Sequence, residues 1–330
     1  MAEHNQVFSV TDKGLVSYPA ELQVVATDIG NRRVKTPLFD FDTGLVKHGP
    51  HRPPIMVDTL FYDGSYYSIT ERRLAVRTDK TEDDDVYILT LFAIAKELRE
   101  AHKMNDSREI KDNIYLAVGL PPGHKEKYGD KLARYYRKKK TVQFIYKDIS
   151  YDVKISTVSI NVQCFSAVVQ MLDKLSDVTR AFVIDIGGYT TDVVLLVNGI
   201  PDTEFTQSLD RRGTVNFCNK VAQELASKSD IELMPIYIEN YLRGIDDDLP
   251  DEVKSVITRM AEEYATQIVR ELSERGVDFK VSTPVFVGGG SEMFRKWLTT
   301  VNPKAIFHTD IRANAAGYEY LAILELSDGE

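Results

Sequence analysis

Apolar residues near the start of the chain recur with the two-residue period of strands. From Leu22 to Thr36 the residues alternate and are rich in β-branched side chains, which predicts β structure. The stretch MVDTLFYDGSYYSI predicts two strands joined at Asp63-Gly64, because this pair tolerates the positive φ angles of a tight hairpin. This part of the chain is therefore predicted to be antiparallel.

Helical spacing appears next. A helix is predicted from about Asp84 to Lys103, because acidic residues precede it and His and Lys end it, as the helix dipole favours. The run NIYLAVGLPPG predicts a buried strand, and a charged helix is predicted from about Glu126 to Arg137. Strands in TVQFIYK and ISYDVKISTVSI complete a first half of mixed α/β structure.

A long amphipathic helix dominates the second half. Its apolar stripe follows the i, i+3, i+4 spacing and ends at Gly276, so we expect it to pack across a sheet. Further helices are predicted in TVNFCNKVAQELASK and in ANAAGYEYLAILEL at the end of the chain. The stripe consists of Val253, Val256, Ile257, Met260, Tyr264, Ile268 and Leu272.

Three apolar strands run into glycine-containing turns: VVATDIGN, FVIDIGGYTTD and VFVGGGS. Glycine lets backbone N–H groups approach a phosphate, and the threonine hydroxyls of the second turn can bind phosphate oxygens. A carboxylate repels phosphate, so Asp28 and Asp185 are better suited to hold a hydrated Mg²⁺ that bridges phosphate oxygens. The three turns together favour a nucleotide clamped between two lobes.

Composition limits the classes of protein. The chain has 330 residues, of which 43% are hydrophobic and 28% charged, which is typical of a soluble protein with room for two domains. A net charge of −9 argues against a surface built to bind nucleic acid directly. The sequence has no apolar run of bilayer length and no signal-peptide pattern, so a cytoplasmic protein without membrane contact is expected.

Several polar or reactive residues have ordinary structural interpretations. Cys164 and Cys218 lack metal-ligand or redox spacing and are expected in the core. His48 and His51 form a close pair without a third ligand nearby, which disfavours a metal site. The basic run RYYRKKK is interpreted as the solvated end of a helix, with contact to DNA or a partner as the alternative.

The segments DIGNRRVK, DIGGYTTD and FVGGGSEMF resemble, in this order, the first phosphate, second phosphate and adenosine motifs of the actin, Hsp70 and sugar-kinase superfamily. VGLPPG before a charged helix, the compact length and the terminal ANAAGYEYL are most similar to the ParM-type bacterial actins that segregate plasmids. The resemblance extends from about Leu22 to Leu326. It implies an α/β, actin-like ATPase fold of two lobes, each a mixed sheet flanked by helices, with a nucleotide cleft between them.

The resemblance also implies domain bounds. Residues 1–21 would be an N-terminal extension, residues 22–173 domain I, and residues 174–308 domain II, with a C-terminal helix at 309–330 returning to domain I. The extension is a departure, because the first aspartate of the family usually lies closer to the start of the chain. Arg32 and Arg33 are a second departure, since they are bulkier than the usual residues of the first turn.

Functional residues follow from the resemblance position by position. Asp28 and Asp185 would position Mg²⁺ and its water, and Gln163 would orient the water that attacks the γ-phosphate; the alternative for Gln163 is a polar residue that caps a helix. The remaining positions would contact the nucleotide: Gly30, Asn31 and Lys35 at the β- and γ-phosphates; Gly187, Gly188, Thr190 and Thr191 opposite them; Gly213 and Lys220 near the ribose; and Gly288, Gly289, Gly290 and Ser291 at the adenosine.

The implied function is an ATPase that polymerises head to tail and segregates plasmid DNA through a DNA-bound adaptor of the ParR type. ATP with Mg²⁺ is the implied cofactor, with GTP as the alternative, and neither direct nucleic-acid binding nor membrane binding is expected. Two other functions stay open on the same fold. One is a small-molecule kinase of the sugar-kinase type, and the other is a cell-shape or scaffold actin.

Overall fold

The computed structural model describes residues 6–11, 14–19, 22–55, 57–103, 108–245 and 248–328. Its backbone contacts divide the chain into two units: unit 1 comprises residues 1–170 with 312–330, and unit 2 comprises residues 171–311. The domain boundaries expected from the sequence follow residues 173 and 308. Each lies three residues from the corresponding boundary in the structure, which follows residue 170 or 311. Positions 1–5, 12–13 and 20–21 of the expected N-terminal extension, and 329–330 of the expected last helix, lie outside the described residues.

The helices and strands are numbered along the chain. In the first part they are β1 Gln6–Thr11, β2 Gly14–Pro19, β3 Gln23–Ile29, β4 Arg33–Lys35, β5 Asp40–Asp42, β6 Gly44–Gly49, β7 Thr59–Tyr62, β8 Ser65–Thr70, α1 Asp85–Ala101, β9 Glu109–Leu120, α2 Lys125–Tyr136, β10 Thr141–Tyr146 and β11 Ile149–Val162, with 3₁₀ turns at Pro122–His124 and Ser166–Met171. They continue with α3 Leu172–Leu175, β12 Arg180–Ile186, β13 Thr191–Val197, β14 Ile200–Leu209, α4 Thr214–Ser229, α5 Pro235–Leu242, α6 Asp251–Glu274, β15 Thr283–Val287, α7 Gly289–Met293, α8 Arg295–Leu298, β16 Ile306–Phe307 and α9 Ala313–Asp328.

Unit 1 is built on one mixed sheet in the order β5-β4-β3-β9-β11-β10-β7-β8-β6, with β1 and β2 as a separate hairpin. Strands β3, β9 and β11 run parallel at its centre. Successive side chains of a strand point to opposite faces, so Val25 joins the core cluster of α1 while Ala26 joins that of α9. The two helices therefore cover opposite faces of the central strands.

Most predicted elements of unit 1 are present. The hairpin at Asp63-Gly64 is confirmed, with φ of +50° and +73° at these residues. The predicted helices at 84–103 and 126–137 correspond to α1 and α2. The predicted β structure at 22–36 is confirmed as two strands, β3 and β4, and β3 is buried on both faces between α1 and α9.

The residues with structural interpretations have matching environments. Cys164 and Cys218 are both fully buried. The basic run ends α2, where Lys138 pairs with Asp84 and Lys139 Nζ lies 3.7 Å from Asp63 Oδ1. These two cations are therefore neutralised within unit 1, as expected of an ordinary helix end.

Unit 2 has a smaller sheet in the order β14-β13-β12-β15-β16. Strand β12 pairs antiparallel with β13 and parallel with β15, so the ends of β12 and β15 lie side by side. The predicted long helix is α6, which packs its apolar stripe into the same core as β12. Mixed sheets with flanking helices in both units confirm the predicted fold class. No helix in the described part of the chain is long and apolar enough to cross a membrane.

Candidate nucleotide-binding site

Three predicted residues meet at the end of β3 in unit 1. Asp28 is 2% exposed, and both of its carboxylate oxygens are bound. Lys35 Nζ lies 3.3 Å from Oδ2, and the Gln163 amide donates from Nε2 to Oδ1 at 2.7 Å. Strand pairing places Lys35 directly opposite Asp28, and Gln163 follows the end of β11. Residues from distant parts of the sequence thus form one charged cluster.

The turn after β3 requires glycine. Gly30 N donates to the carbonyls of Asp28 and Arg33, both at 3.1 Å. A Cβ at this position would lie 2.9 Å from the Arg33 carbonyl oxygen, so a larger residue would push the turn open. The neighbouring Asn31 is partly buried, and its carbonyl accepts a hydrogen bond from Thr43 Oγ1 at 3.4 Å. The backbone of this turn is therefore tightly folded.

Two arginines fasten the same turn to β5. Arg32 Nη1 and Arg33 Nη1 each lie 3.2 Å from Asp42 Oδ1, and Arg33 Nε lies 2.5 Å from Asp40 Oδ2. Their bulk was the second departure from the family pattern. The structure accommodates it by pairing both guanidinium groups with carboxylates that follow seven to ten residues later in the chain.

A second lysine beside the turn was missed from the sequence. Lys80 Nζ donates to the Ile29 carbonyl at 2.7 Å, within a cavity of about 40 Å³ that Gly30, Asn31 and Arg77 also line. Lys80 lies in the long irregular connection between β8 and α1, and no motif marks it. The length of this connection is the one available signal, because long loops in compact domains are often functional.

A buried carboxyl pair lies behind this half-site. Glu97 of α1 accepts a hydrogen bond from Leu38 N at 3.2 Å, and Arg312 Nη1 donates to the Leu38 carbonyl at 3.2 Å. Burial raises the pKa of Glu97, and burial together with the charge of Glu97 raises the pKa of Glu319 in α9 to about 7. The loop that follows Lys35 is thus held by a carboxyl group whose pKa is raised by burial.

In unit 2 the second phosphate motif is the hairpin turn between β12 and β13. Gly187 N donates to the Thr190 carbonyl at 3.0 Å, and Thr190 Oγ1 donates to Asp192 Oδ2 at 2.7 Å. Thr191 is fully buried, and its hydroxyl donates to the Arg212 carbonyl at 2.6 Å. This hydroxyl therefore ties the turn to the start of α4 instead of facing a ligand, because Thr191 is already the first paired residue of β13.

Gly213 brings α4 directly onto that turn. Its N–H donates to the Tyr189 carbonyl at 3.0 Å, and the next two N–H groups donate to the carbonyls of Gly187 and Gly188 at 3.0 and 2.9 Å. A Cβ on Gly213 would lie 2.3 Å from Tyr189 N. Backbone atoms leave no room for any side chain here.

Ion pairing supports the same loop from outside. Arg212 Nε donates to Glu271 Oε2 of α6 at 2.8 Å, and a second bond joins its Nη2 to Oε1. The guanidinium holds the pKa of Glu271 below its usual range. This two-pronged pair anchors the residue that precedes Gly213.

The predicted adenosine turn packs on the end of β12. Gly288 has φ of +81°, and a Cβ there would lie 2.2 Å from Asp185 Oδ1; one on Gly290 would lie 2.3 Å from Ile186 Cγ2. Asp185 itself is 8% exposed. Ser291 is buried, and its hydroxyl donates back to the Val287 carbonyl at the end of β15. Because these glycines have no side chain, the predicted adenosine turn can pack directly against Asp185, the predicted metal residue.

Two buried donors in unit 2 were also missed. Arg243 Nη2 lies 3.1 Å from the position that a Cβ on Gly289 would take. Arg243 Nε and Asn216 Nδ2 are buried without a hydrogen-bond partner among the described residues. Unpaired buried donors are costly, so such groups are candidates for contact with a ligand. Lys220, by contrast, is exposed on α4 with Nζ 5.9 Å from the centre of the Tyr264 ring.

Two family models match parts of the chain. Residues 57–165 match the family model described as the N-terminal domain of actin-like proteins, and residues 183–300 match that described as the C-terminal domain of the MreB-like archaeal actin homologue. No curated protein matches the chain.

Solved structures share the fold at low sequence identity. Actin-like protein Alp7A is 15% identical with a TM-score of 0.73, covering 93% of this chain and 97% of its own. The archaeal actin homologue Ta0583 in complex with ADP is 17% identical with a TM-score of 0.69, covering 91% and 98%. A 15-stranded ParM filament from Clostridium botulinum is 17% identical with a TM-score of 0.70, covering 90% and 98%. The chain therefore shares the fold of these actin homologues, and residues 57–165 and 183–300 are each similar to a domain of actin-like proteins.

Proposed function

We propose that this protein hydrolyses ATP and forms head-to-tail filaments that separate copies of a plasmid through a DNA-bound adaptor of the ParR type. The observation that carries the proposal is the cluster of Asp28, Lys35 and Gln163, which unites a carboxylate, a cation and an amide at a glycine turn. The ADP complex of Ta0583 and the ParM filament support the nucleotide and the polymer, respectively.

Each unit carries groups suited to binding the phosphates of a nucleotide. In unit 1, Lys35 and Lys80 supply positive charge beside the Gly30 turn, and Asn31 supplies an amide. In unit 2 the turn of Gly187 and Gly188 allows close backbone approach, and Thr190 supplies a hydroxyl. Asn216 and Arg243 would donate to acceptor atoms of the ribose or base, which would pair their buried N–H groups.

The carboxylates fit a magnesium ion held through water. The described residues contain no group of three or more His, Cys, Asp or Glu side chains placed to hold a metal. Mg²⁺ does not need one, because it keeps several waters and uses one or two carboxylates together with substrate phosphates. Asp28 and Asp185, each at the end of a buried strand, match that requirement. The bound ion would neutralise charge on the phosphates.

Gln163 would orient the attacking water. Its Nε2 is held by Asp28, which fixes the amide plane and leaves Oε1 to accept a hydrogen bond from water. The side chain thus reaches the carboxylate instead of a helix N–H, which favours the catalytic interpretation over the capping one. Catalysis would depend on positioning and charge neutralisation, without a covalent intermediate.

Polymerisation and DNA attachment would use separate surfaces of the molecule. A head-to-tail contact whose rotation does not close produces an open filament. The net charge of −9 makes direct binding to DNA phosphates unfavourable, so an adaptor protein would make that contact. Bound ATP would stabilise the filament, and hydrolysis would weaken it. The filament would therefore grow and shrink directionally.

The proposal is tested by measuring phosphate release and light scattering together, with ATP and Mg²⁺ added to the purified protein. The parent protein should release phosphate and scatter light as it polymerises. Asp28→Ala and Asp185→Ala should each lower phosphate release at least about 100-fold, because each removes a charge that positions the reacting groups. Asp173→Ala, at an exposed position of α3, is the matched control and should retain the parent rate.

Other outcomes decide between the alternatives. Parental phosphate release in Asp185→Ala would refute the site. Phosphate transfer to an added sugar, without scattering, would identify a small-molecule kinase. Filaments without phosphate release would identify a scaffold actin.

A further inference from the structure

The first residues of α9 lie against the segment that carries Gln163. Asn314, the second residue of α9, is 7% exposed, and its Oδ1 accepts a hydrogen bond from Cys164 N at 3.1 Å. Cys164 immediately follows Gln163 and is fully buried. Both residues belong to unit 1, although 150 positions separate them in the sequence.

Cys164 has a backbone conformation that needs support. Its φ is +67°, in the left-handed region that costs a residue with a Cβ about 1–2 kcal/mol. Such a conformation persists only where the surrounding structure holds it. The Asn314 amide does so by accepting the N–H of Cys164, a buried donor that would otherwise need another partner.

The same conformation sets the direction of Gln163. Gln163 N donates to the Leu120 carbonyl at the end of β9 at 2.9 Å, and its own carbonyl accepts from Phe165 N at 2.8 Å. The chain therefore turns sharply at Gln163 and Cys164. The turn leaves the Gln163 side chain directed at Asp28. A change of φ at Cys164 would rotate the backbone next to Gln163 and move its amide.

A second contact fixes α9 in place. Gly317 lies one turn of helix after Asn314, and a Cβ on it would lie 1.8 Å from the Ser166 carbonyl oxygen. Backbone therefore packs directly on backbone at this point, which sets the height of Asn314 over Cys164. A hydrogen bond and a close contact thus hold residues 164–166, and they account for Asn314 and Gly317 at the start of α9.

We propose that Asn314 is a positioning residue for Gln163. It acts through Cys164, by holding the left-handed turn that directs the Gln163 amide to Asp28. The inference rests on the proposed role of Gln163 in ATP hydrolysis. A purely structural Asn314 would affect stability alone, whereas a positioning Asn314 affects the rate of the bound complex.

Steady-state hydrolysis of Mg-ATP by the full chain tests this with three variants. Asn314→Ala should lower kcat about 30-fold and leave KM for ATP within about twofold, because misplacement of a reacting group lowers the rate without weakening binding. Asn314→Asp keeps an acceptor oxygen for Cys164 N and should recover kcat to within about threefold of the parent. Asn314→Ala combined with Cys164→Gly should recover part of kcat, since glycine adopts positive φ without support.

The outcomes separate this inference from the proposed function. Parental kcat in Asn314→Ala, with an active parent protein, would overturn the inference alone. Equal loss of kcat in the Ala and Asp variants, with lowered thermal midpoints in both, would also overturn it, because that pattern indicates a structural role. A parent protein that releases no phosphate would overturn the proposed function and the inference with it.

Discussion

Different interactions stabilise the predicted site residues in unit 1 and those in unit 2. In unit 1 the turn after β3 is surrounded by charged groups: Asp28 binds Lys35 and Gln163, and the two arginines of the turn bind the carboxylates of β5. In unit 2 the turns are held by backbone atoms in close contact, at Gly213, Gly288 and Gly290, where a Cβ would lie within 2.3 Å of another atom.

The difference indicates how each half-site can fail. A charged network tolerates a change of shape but responds to pH, salt and the loss of a partner. Close backbone contact is indifferent to salt but has no room for a single added methyl group. We therefore expect substitutions in unit 2 to act through shape and those in unit 1 to act through charge, and the following experiments test that division.

The largest effect is expected for Gly213→Ala. Its added methyl would lie 2.3 Å from Tyr189 N and 2.4 Å from Gly188 C, so the turn and α4 must separate. We expect a loss of about 3 kcal/mol or more in stability and a thermal midpoint lowered by about 6 °C or more. Calorimetry measures the shift. Gly123→Ala, where no atom lies within 4 Å of the new methyl, is the control, and equal midpoints in the two variants would contradict the steric account.

A pH-dependent effect is expected for Glu319→Gln in unit 1. The pKa of Glu319 rises from 4.5 to about 7 on folding, so the folded protein binds the extra proton and the parent loses stability as pH rises through that range. Glutamine cannot ionise, so the variant should match the parent near pH 4.5 and exceed it by about 2–3 kcal/mol at pH 8. Chemical denaturation at several pH values measures this. The exposed Glu71→Gln is the control, and a constant difference at all pH values would refute the assignment.

Arg243→Met tests whether the missed donor in unit 2 meets the nucleotide. Removal of a charged hydrogen bond should weaken ATP binding about tenfold, while relief of an unpaired buried N–H should leave the protein equally stable or slightly more so. Titration calorimetry and thermal unfolding give the two readouts. Arg270→Met removes only an exposed pair within α6 and serves as the control. Unchanged ATP affinity in Arg243→Met would assign Arg243 to packing alone.

The smallest effect is expected for Arg33→Met. Its guanidinium, with 32% of the side chain exposed, bridges Asp40 and Asp42, so its loss should cost less than about 1 kcal/mol. The cost should decrease with added salt and vanish near about 1 M, because the interaction is screened. Thermal midpoints at low and high salt measure it. A cost that salt does not change would place Arg33 with the sterically held residues of unit 2.

The candidate site was predictable where a motif concentrates the chemistry in a few adjacent residues. Asp28, Gly30, Asp185 and Gly288 lie at the ends of buried strands, and an apolar run that stops at glycine is visible in the sequence alone. Gln163 and Asn314 lack such a signal on their own. They gain meaning from the bond each makes to a residue far along the chain.

The site residues that sequence analysis missed or misread have a common cause. Lys80 lies in an irregular connection, and Arg243 at the end of a short helix, where no period or turn rule applies. Thr191 was read as a phosphate ligand by its type, yet its pairing position in β13 turns its hydroxyl to Arg212. Residue type indicates what a group can do, while its direction depends on strand register and packing.

The amino-acid sequence by itself determined the strand and helix pattern, the glycine turns and the order of the motifs, because these depend on periodicity and on local backbone freedom. The side-chain pairings became known from the folded molecule: Gln163 binds Asp28, Asn314 binds Cys164, and the Thr191 hydroxyl binds the Arg212 carbonyl. Such contacts join residues distant in sequence, and their geometry comes from the packing of helices on the two sheets.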